Sequence, residues 1–190
     1  MRLFASTAIA TIATFVAVSQ STAADYKIDP SHTHVLFLVD HLGFSKMIGL
    51  FTDVSGTIGF DAGNPVDSKL SVKIKTGSLQ TQFAPRDADL KGADWFNVNE
   101  FPEMSFVGKS FVKNSEKAGT ITGDLTMLGI TKPVTLEVSF NKAGIRAADK
   151  ADTVGFSAHG ELKRTDFGLK TFVPYIGDKI DLMIETEATR

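Results

Sequence analysis

The sequence predicts an all-β domain of eight antiparallel strands, and three observations carry that reading. Apolar residues recur with a period of two through most of the chain, glycines interrupt several of the apolar runs, and helical periodicity is almost missing. Alternation of apolar and polar side chains is the signature of a strand with one face on the core and one in water.

The elements follow in chain order. Residues 32–39 form a short, nearly continuous apolar strand, and 50–60 a second one broken by Gly56 and Gly59. In residues 69–75, Leu70, Val72 and Ile74 alternate with lysines and serine. Helix is expected only over residues 84–92: Pro85 suits the first turn, Asp87 and Asp89 favour a helix start, and Gly92 ends it. Strands 104–113, 120–127, 134–141, 154–163 and 179–185 complete the set. The clearest is 134–141, where Val134, Leu136, Val138 and Phe140 alternate with Thr135, Glu137, Ser139 and Asn141. Turn-forming stretches at 61–65, 114–117 and 143–152 punctuate the pattern. Gly56, Gly59, Gly108, Gly155 and Gly160 inside strand patterns suggest bulges or tight coiling. Eight such strands suit either a sandwich or a barrel.

The first 24 residues read as an export leader. Arg2 gives a positive start, residues 3–18 are apolar, and Ser21-Thr22-Ala23-Ala24 offers small residues for cleavage after Ala23 or Ala24. The apolar run is shorter than the ~20 residues that span a bilayer. The expectation is a single domain over residues 25–190 in the periplasm, with secretion as the other destination.

Composition removes whole classes of function. With no cysteine, disulfide scaffolds, thiolate metal sites and cysteine nucleophiles are excluded. Twenty basic residues against 22 acidic ones leave a formal charge of −2, without the clustered basic excess that nucleic acid requires. No Walker loop, dinucleotide fingerprint, Gly-x-Ser-x-Gly elbow or His-Glu-x-x-His occurs. His32 and His34 share a strand face, with His41 or His159 as conceivable third ligands, yet the parity of His41 opposes His34. They are read as surface histidines, and neither a metal nor another cofactor is expected. Fifteen Phe against two Tyr and one Trp favour an apolar interior over a recognition surface, where Tyr and Trp predominate.

Five blocks in order then resemble the YceI-like family of exported, lipocalin-like proteins. They are His41-Leu42-Gly43-Phe44-Ser45 through Gly49-Leu50-Phe51; Arg86-Asp87 through Leu90; Phe96 through Phe101-Pro102 to Phe106; Leu128-Gly129-Ile130-Thr131-Lys132-Pro133-Val134; and Arg164-Thr165-Asp166-Phe167-Gly168. The resemblance implies an eight-stranded antiparallel lipocalin-like barrel, one end covered by the short helix. It further implies a cavity for a polyisoprenoid, either a polyprenyl phosphate or an isoprenoid quinone, and no catalytic residues. Val35, Phe37, Val39, Phe106, Leu125, Met127, Leu136, Val138, Phe156 and Leu182 are expected on the cavity wall. His41, Arg86, Arg164 and Asp166 are expected at its mouth, to orient the head of the lipid. Arg164 and Asp166 could equally pin the turn as an ion pair. The alternatives are an enzyme using His41 with Asp166 on such a lipid, or a filled barrel that binds another protein. Transient membrane contact and a dimer are compatible with the leading reading.

Overall fold

A computed structural model describes residues 23–61 and 64–190. Apart from Ala23 and Ala24, the expected leader lies outside the described residues. The strands are β1 (Ala24–Ile28), β2 (His34–His41), β3 (Ser45–Phe51), β4 (Val54–Phe60), β5 (Lys69–Lys75), β6 (Leu79–Gln80), β7 (Glu103–Lys113), β8 (Ala118–Met127), β9 (Ile130–Ile145), β10 (Asp152–Lys163) and β11 (Ile176–Thr189). The helix α1 spans Ala84–Leu90. All pairings are antiparallel, and the order β1-β4-β5-β7-β8-β9-β10-β11 closes when β11 pairs with β1. The fold is a closed eight-stranded barrel.

Eleven strands make eight staves because two staves are interrupted and the two-residue β6 only adds to the edge of β3. A single 3-10 turn, Pro30–His32, separates β1 from β2. Both pair with β11, β1 through Ile28 and Ala188 and β2 through Val35 and Ile184. Thr52 and Asp53 break the next stave into β3 and β4, and β4 pairs with β1 while β3 pairs with β2. All eight expected strands are present. The expectation missed β1, whose alternation of Tyr26 and Ile28 with Asp25 and Lys27 directly follows the stretch expected to be a leader. It also began the second stave late, because Lys46-Met47-Ile48-Gly49 does not alternate.

Two hairpins turn on the same dipeptide. Leu42-Gly43 and Leu128-Gly129 all have φ between 51° and 73°, the left-handed region; Leu128-Gly129 form a two-residue turn between the paired Met127 and Ile130, whereas Phe44 completes a three-residue turn between His41 and Ser45. Leucine seldom adopts that conformation. Both dipeptides belong to blocks that carried the family resemblance.

Several strand glycines serve one of two ends, and Gly108 serves both, since a Cβ there would lie 2.6 Å from the Phe111 ring. Gly108 and Gly155 flank breaks in register, as expected for bulges. Gly49, Gly123 and Gly160 instead make room for bulky neighbours. A Cβ on Gly49 would lie 2.0 Å from the Phe37 ring, one on Gly123 2.5 Å from Phe106, and one on Gly160 2.7 Å from Leu136. The abundance of Phe and the interrupting glycines are thus two sides of one packing pattern.

One end of the barrel is closed by chain and not by sheet. β3 pairs with β6 only through Leu50 and Phe51, so Ser45–Gly49 have no strand on that side. The segment bearing α1 follows β6, and Phe96 packs edge-on against Phe51 at 5.5 Å between ring centres. Inside α1, Asp87 accepts hydrogen bonds from the Thr81 amide and hydroxyl, which ties the helix to the chain before it.

At the opposite end Arg146 joins three staves. Its guanidinium pairs with Asp29 before β2 at 3.0 Å, with Glu187 on β11 at 2.9 Å, and with Asp149 in the β9–β10 turn at 2.6 Å. Arg146 holds the Asp149 carboxyl down to about 2. Asp29 is lowered as well, chiefly by hydrogen bonds from Ser31 and His32, with Arg146 adding to them. Folded carboxyls with depressed values bind fewer protons than unfolded ones, whose ordinary value is 3.8. Their stabilisation is therefore full above that value and is lost as pH falls toward 2. Arg146→Ala is expected to lower the melting temperature at pH 7, and that deficit should shrink steadily between about pH 4 and pH 2. A deficit independent of pH in melts followed by circular dichroism would refute the ion network as its cause.

Candidate functional site: an apolar cavity along the barrel

Inward rows from the staves do not meet at the axis. They enclose a cavity of about 500 Å³, within the ~300–1,000 Å³ of small-molecule sites. Its presence explains an otherwise odd burial pattern: Phe37, Val39, Leu125, Val138, Phe156 and Leu182 point inward yet are only half-buried. Val35, Phe106, Met127 and Leu136, also on the wall, are buried. All ten expected wall residues therefore line one cavity. The structure adds Phe51, Ile58, Phe60, Val72, Phe140 and Ile184, among others, to the same wall. Their inward parity was legible in the alternation, whereas the depth at which each row reaches the void was not.

Two aromatic groups mark the ends of the lumen. Phe60, Phe140 and Phe156 form a triad with ring centres 5.1 to 5.7 Å apart, away from α1. Trp95 and Phe172 meet at 6.2 Å beside the α1 end, and both line the cavity. Phe172, together with Phe44 and Tyr175 nearby in the turns, is largely exposed.

The expected mouth residues separate. His41, Arg86 and Arg164 line the cavity, but Asp166 does not, and its side chain is exposed. The cause is local geometry. Arg164–Phe167 form a 3-10 turn with three residues per turn, so Arg164 and Phe167 share the inward face and Asp166 is sent outward. This corrects both readings of Asp166: it neither borders the lumen beside His41 nor pairs with Arg164.

Arg164 is a clip. Its guanidinium, 3% exposed, donates to the carbonyls of Gly177 at 2.8 Å, Leu169 at 2.8 Å, Thr171 at 2.9 Å and Ile176 at 2.8 Å. It thereby folds the whole β10–β11 connection around one side chain. Burial draws its affinity for the proton down, and the nearby Asp178 carboxylate opposes that shift. The guanidinium carbon also lies 5.6 Å from the centre of the Trp95 ring, in cation–π range. Arg86 is tied locally, with Nε and Nη2 each 2.7 Å from Thr81 oxygens.

The histidine pair lies elsewhere. His32 and His34 are exposed on the outside, with the intervening Thr33 buried. His32 accompanies Asp29 and Glu187 in a group whose ligand atoms are within 4.8 Å. Arg146 already bridges those two carboxylates, so a fixed cation occupies the position that a metal would need.

The architecture defines a class: a closed antiparallel barrel that is hollow, apolar along its length and polar at its rims. A family model described as the YceI-like domain matches residues 26–188, and the chain belongs to that family. It is similar to Protein YceI of Shigella flexneri, with 40% identity over 172 residues, 90% of this chain and 89% of that one. Among solved structures, BcnA of Burkholderia cenocepacia has the same fold at a TM-score of 0.76, with 20% identity over 85% of this chain and 99% of that one. A polyisoprenoid binding domain from Saccharophagus degradans, implicated in plant cell wall breakdown, shares it at a TM-score of 0.65, with 10% identity over 86% and 97% of the two chains.

Proposed function

We propose that this protein is a non-enzymatic carrier or sequestering protein for a long-chain isoprenoid lipid, acting in the periplasm and contacting a membrane transiently. The observation that carries the reading is the continuous apolar lumen, bordered by side chains from all eight staves. The fold shared with a domain described as binding polyisoprenoids supports it.

Burial of hydrocarbon supplies the affinity. Each methylene taken from water contributes ~0.8 kcal/mol, so about fifteen carbons contribute roughly 12 kcal/mol. Association costs about 4 kcal/mol or more, which leaves micromolar binding without a charged clamp. His41 and Asp166 do not meet at the cavity, which removes the polar pair on which an enzymatic reading would rest.

Mass spectrometry of an organic extract from gently purified protein tests the proposal. An isoprenoid in roughly stoichiometric amount is expected. A lumen that yields no lipid, in protein that also fails to take up geranylgeraniol or a quinone in a fluorescence displacement assay, would overturn it.

A further inference from the structure

We propose that the β2–β3 turn and the β10–β11 connection form a membrane-docking face, which inserts Leu42, Phe44, Phe172, Val173 and Tyr175 into a zwitterionic lipid surface and sets the α1-end mouth of the lumen against it. The inference rests on the lipid-carrier reading above and specifies where, and by what force, the protein meets a membrane.

Past the polar rim at that mouth, two turns carry apolar tips into water. Leu42 and Phe44 occupy the first, Phe172, Val173 and Tyr175 the second, and all five are exposed, Phe44 by 88% and Tyr175 by 68%. The turns are neighbours: the Leu42 amide donates to the Tyr175 carbonyl at 2.9 Å, and His41 pairs with Ile176. A contiguous apolar group in solvent marks a surface that meets a partner or a membrane.

The tips are held in place. Leu42 and Phe172 both have a φ of 59°, in the left-handed region that bulky residues seldom enter. The Ile176 amide donates to the Phe172 carbonyl at 2.8 Å, and Arg164 grips the carbonyls of Thr171 and Ile176 on either side. The Thr171 hydroxyl donates to the Asp94 carbonyl, tying the connection to the segment after α1. Insertion therefore demands little further ordering of the chain.

Two observations select a lipid surface as the occupant. Phe172 belongs both to the exposed tips and to the cavity wall, and His41 and Ile176 at the bases of the two turns also line the cavity. Whatever covers the tips covers the mouth, and a bilayer is the one cover that can also supply or receive an apolar cargo. Charge then gives the lipid class. Residues 42–45 and 171–177 contain no Asp, Glu, Lys or Arg, and each stretch is bracketed by one acid and one base, Asp40 with Lys46 and Lys170 with Asp178. Such balanced flanks match headgroups that carry both charges and present no basic cluster to anionic lipid. The phenyl rings reach the acyl boundary, while the Tyr175 hydroxyl suits the level of the headgroups.

Flotation with dioleoyl phosphatidylcholine vesicles tests the inference, using wild type, Phe44→Ser/Tyr175→Ser and, beside Arg146 at the opposite end, the exposed-site control Ile145→Ser. Neither Phe44 nor Tyr175 lines the cavity, and both are exposed, so the double variant is expected to melt and to take up geranylgeraniol from solution as wild type does. Wild type and Ile145→Ser should float with the vesicles, and the double variant should bind them at least tenfold more weakly. Raising the salt to 0.5 M should leave wild-type binding undiminished, because burial of apolar side chains is not screened. A double variant that floats as wild type does, an equal loss in Ile145→Ser, or binding that needs phosphatidylglycerol and vanishes in 0.5 M salt would overturn the inference. So would wild type that ignores vesicles but self-associates through these side chains, which would assign the face to a second copy. Wild type that ignores vesicles yet takes up geranylgeraniol would overturn the inference and leave the carrier reading intact; wild type that does neither would overturn both.

Discussion

Arg164→Met should destabilise the protein by at least about 3 kcal/mol, since each buried carbonyl left without a donor costs about 1–3 kcal/mol. Four carbonyls of the β10–β11 connection converge on this side chain, and methionine of similar length replaces none of their hydrogen bonds. For a chain of this size the melting temperature should fall by roughly 6–12 °C. Arg164→Lys should recover only part of the loss, because one ammonium cannot reach carbonyls arrayed around a planar fork. The connection also carries Phe172, which lines the cavity, so loosening it should speed release of a bound fluorescent chain. A methionine variant melting within about 2 °C of wild type would show that the connection holds without the clip.

Ala158→Phe should separate binding from stability. Ala158 is a small, buried, inward residue on β10, opposite Val138 on one side and Ile184 on the other, and it lines the cavity. A phenyl ring there projects into the void. Displacing about four methylenes of a bound chain would remove roughly 3 kcal/mol, about a hundredfold in affinity. In a filled core the same substitution would force neighbours off their rotamers at about 1–3 kcal/mol. With a void to enter, it should leave the urea midpoint near that of wild type. A variant that keeps full lipid uptake would argue against the lumen as the binding site; one that fails to fold would argue against a void at Ala158.

Much of this was legible in the chain because a strand's side chains alternate whatever surrounds it. The row Val134, Leu136 and Val138 declares its inward face, and so do Leu70, Val72 and Ile74. β1 was hidden by its position directly after the stretch expected to be a leader, and β3 by a stretch in which a glycine gives way to the Phe37 ring. The wall of the candidate site follows from parity, so its ten residues could be named in advance. Its charged rim could not. Arg164 and Asp166 stand two apart, which on a strand means one face, but a 3-10 turn separates them and turns only the arginine inward.

The sequence by itself determined the staves, their inward faces and the family, since periodicity and ordered local blocks need no knowledge of distant contacts. Closure through β1 and β11, the void left at the axis and the carboxylates gathered on Arg146 were decided by tertiary structure alone. The reason is physical: whether inward side chains meet or stand apart depends on the radius of the closed sheet, and whether a charge is matched depends on which groups that closure brings within a few ångströms.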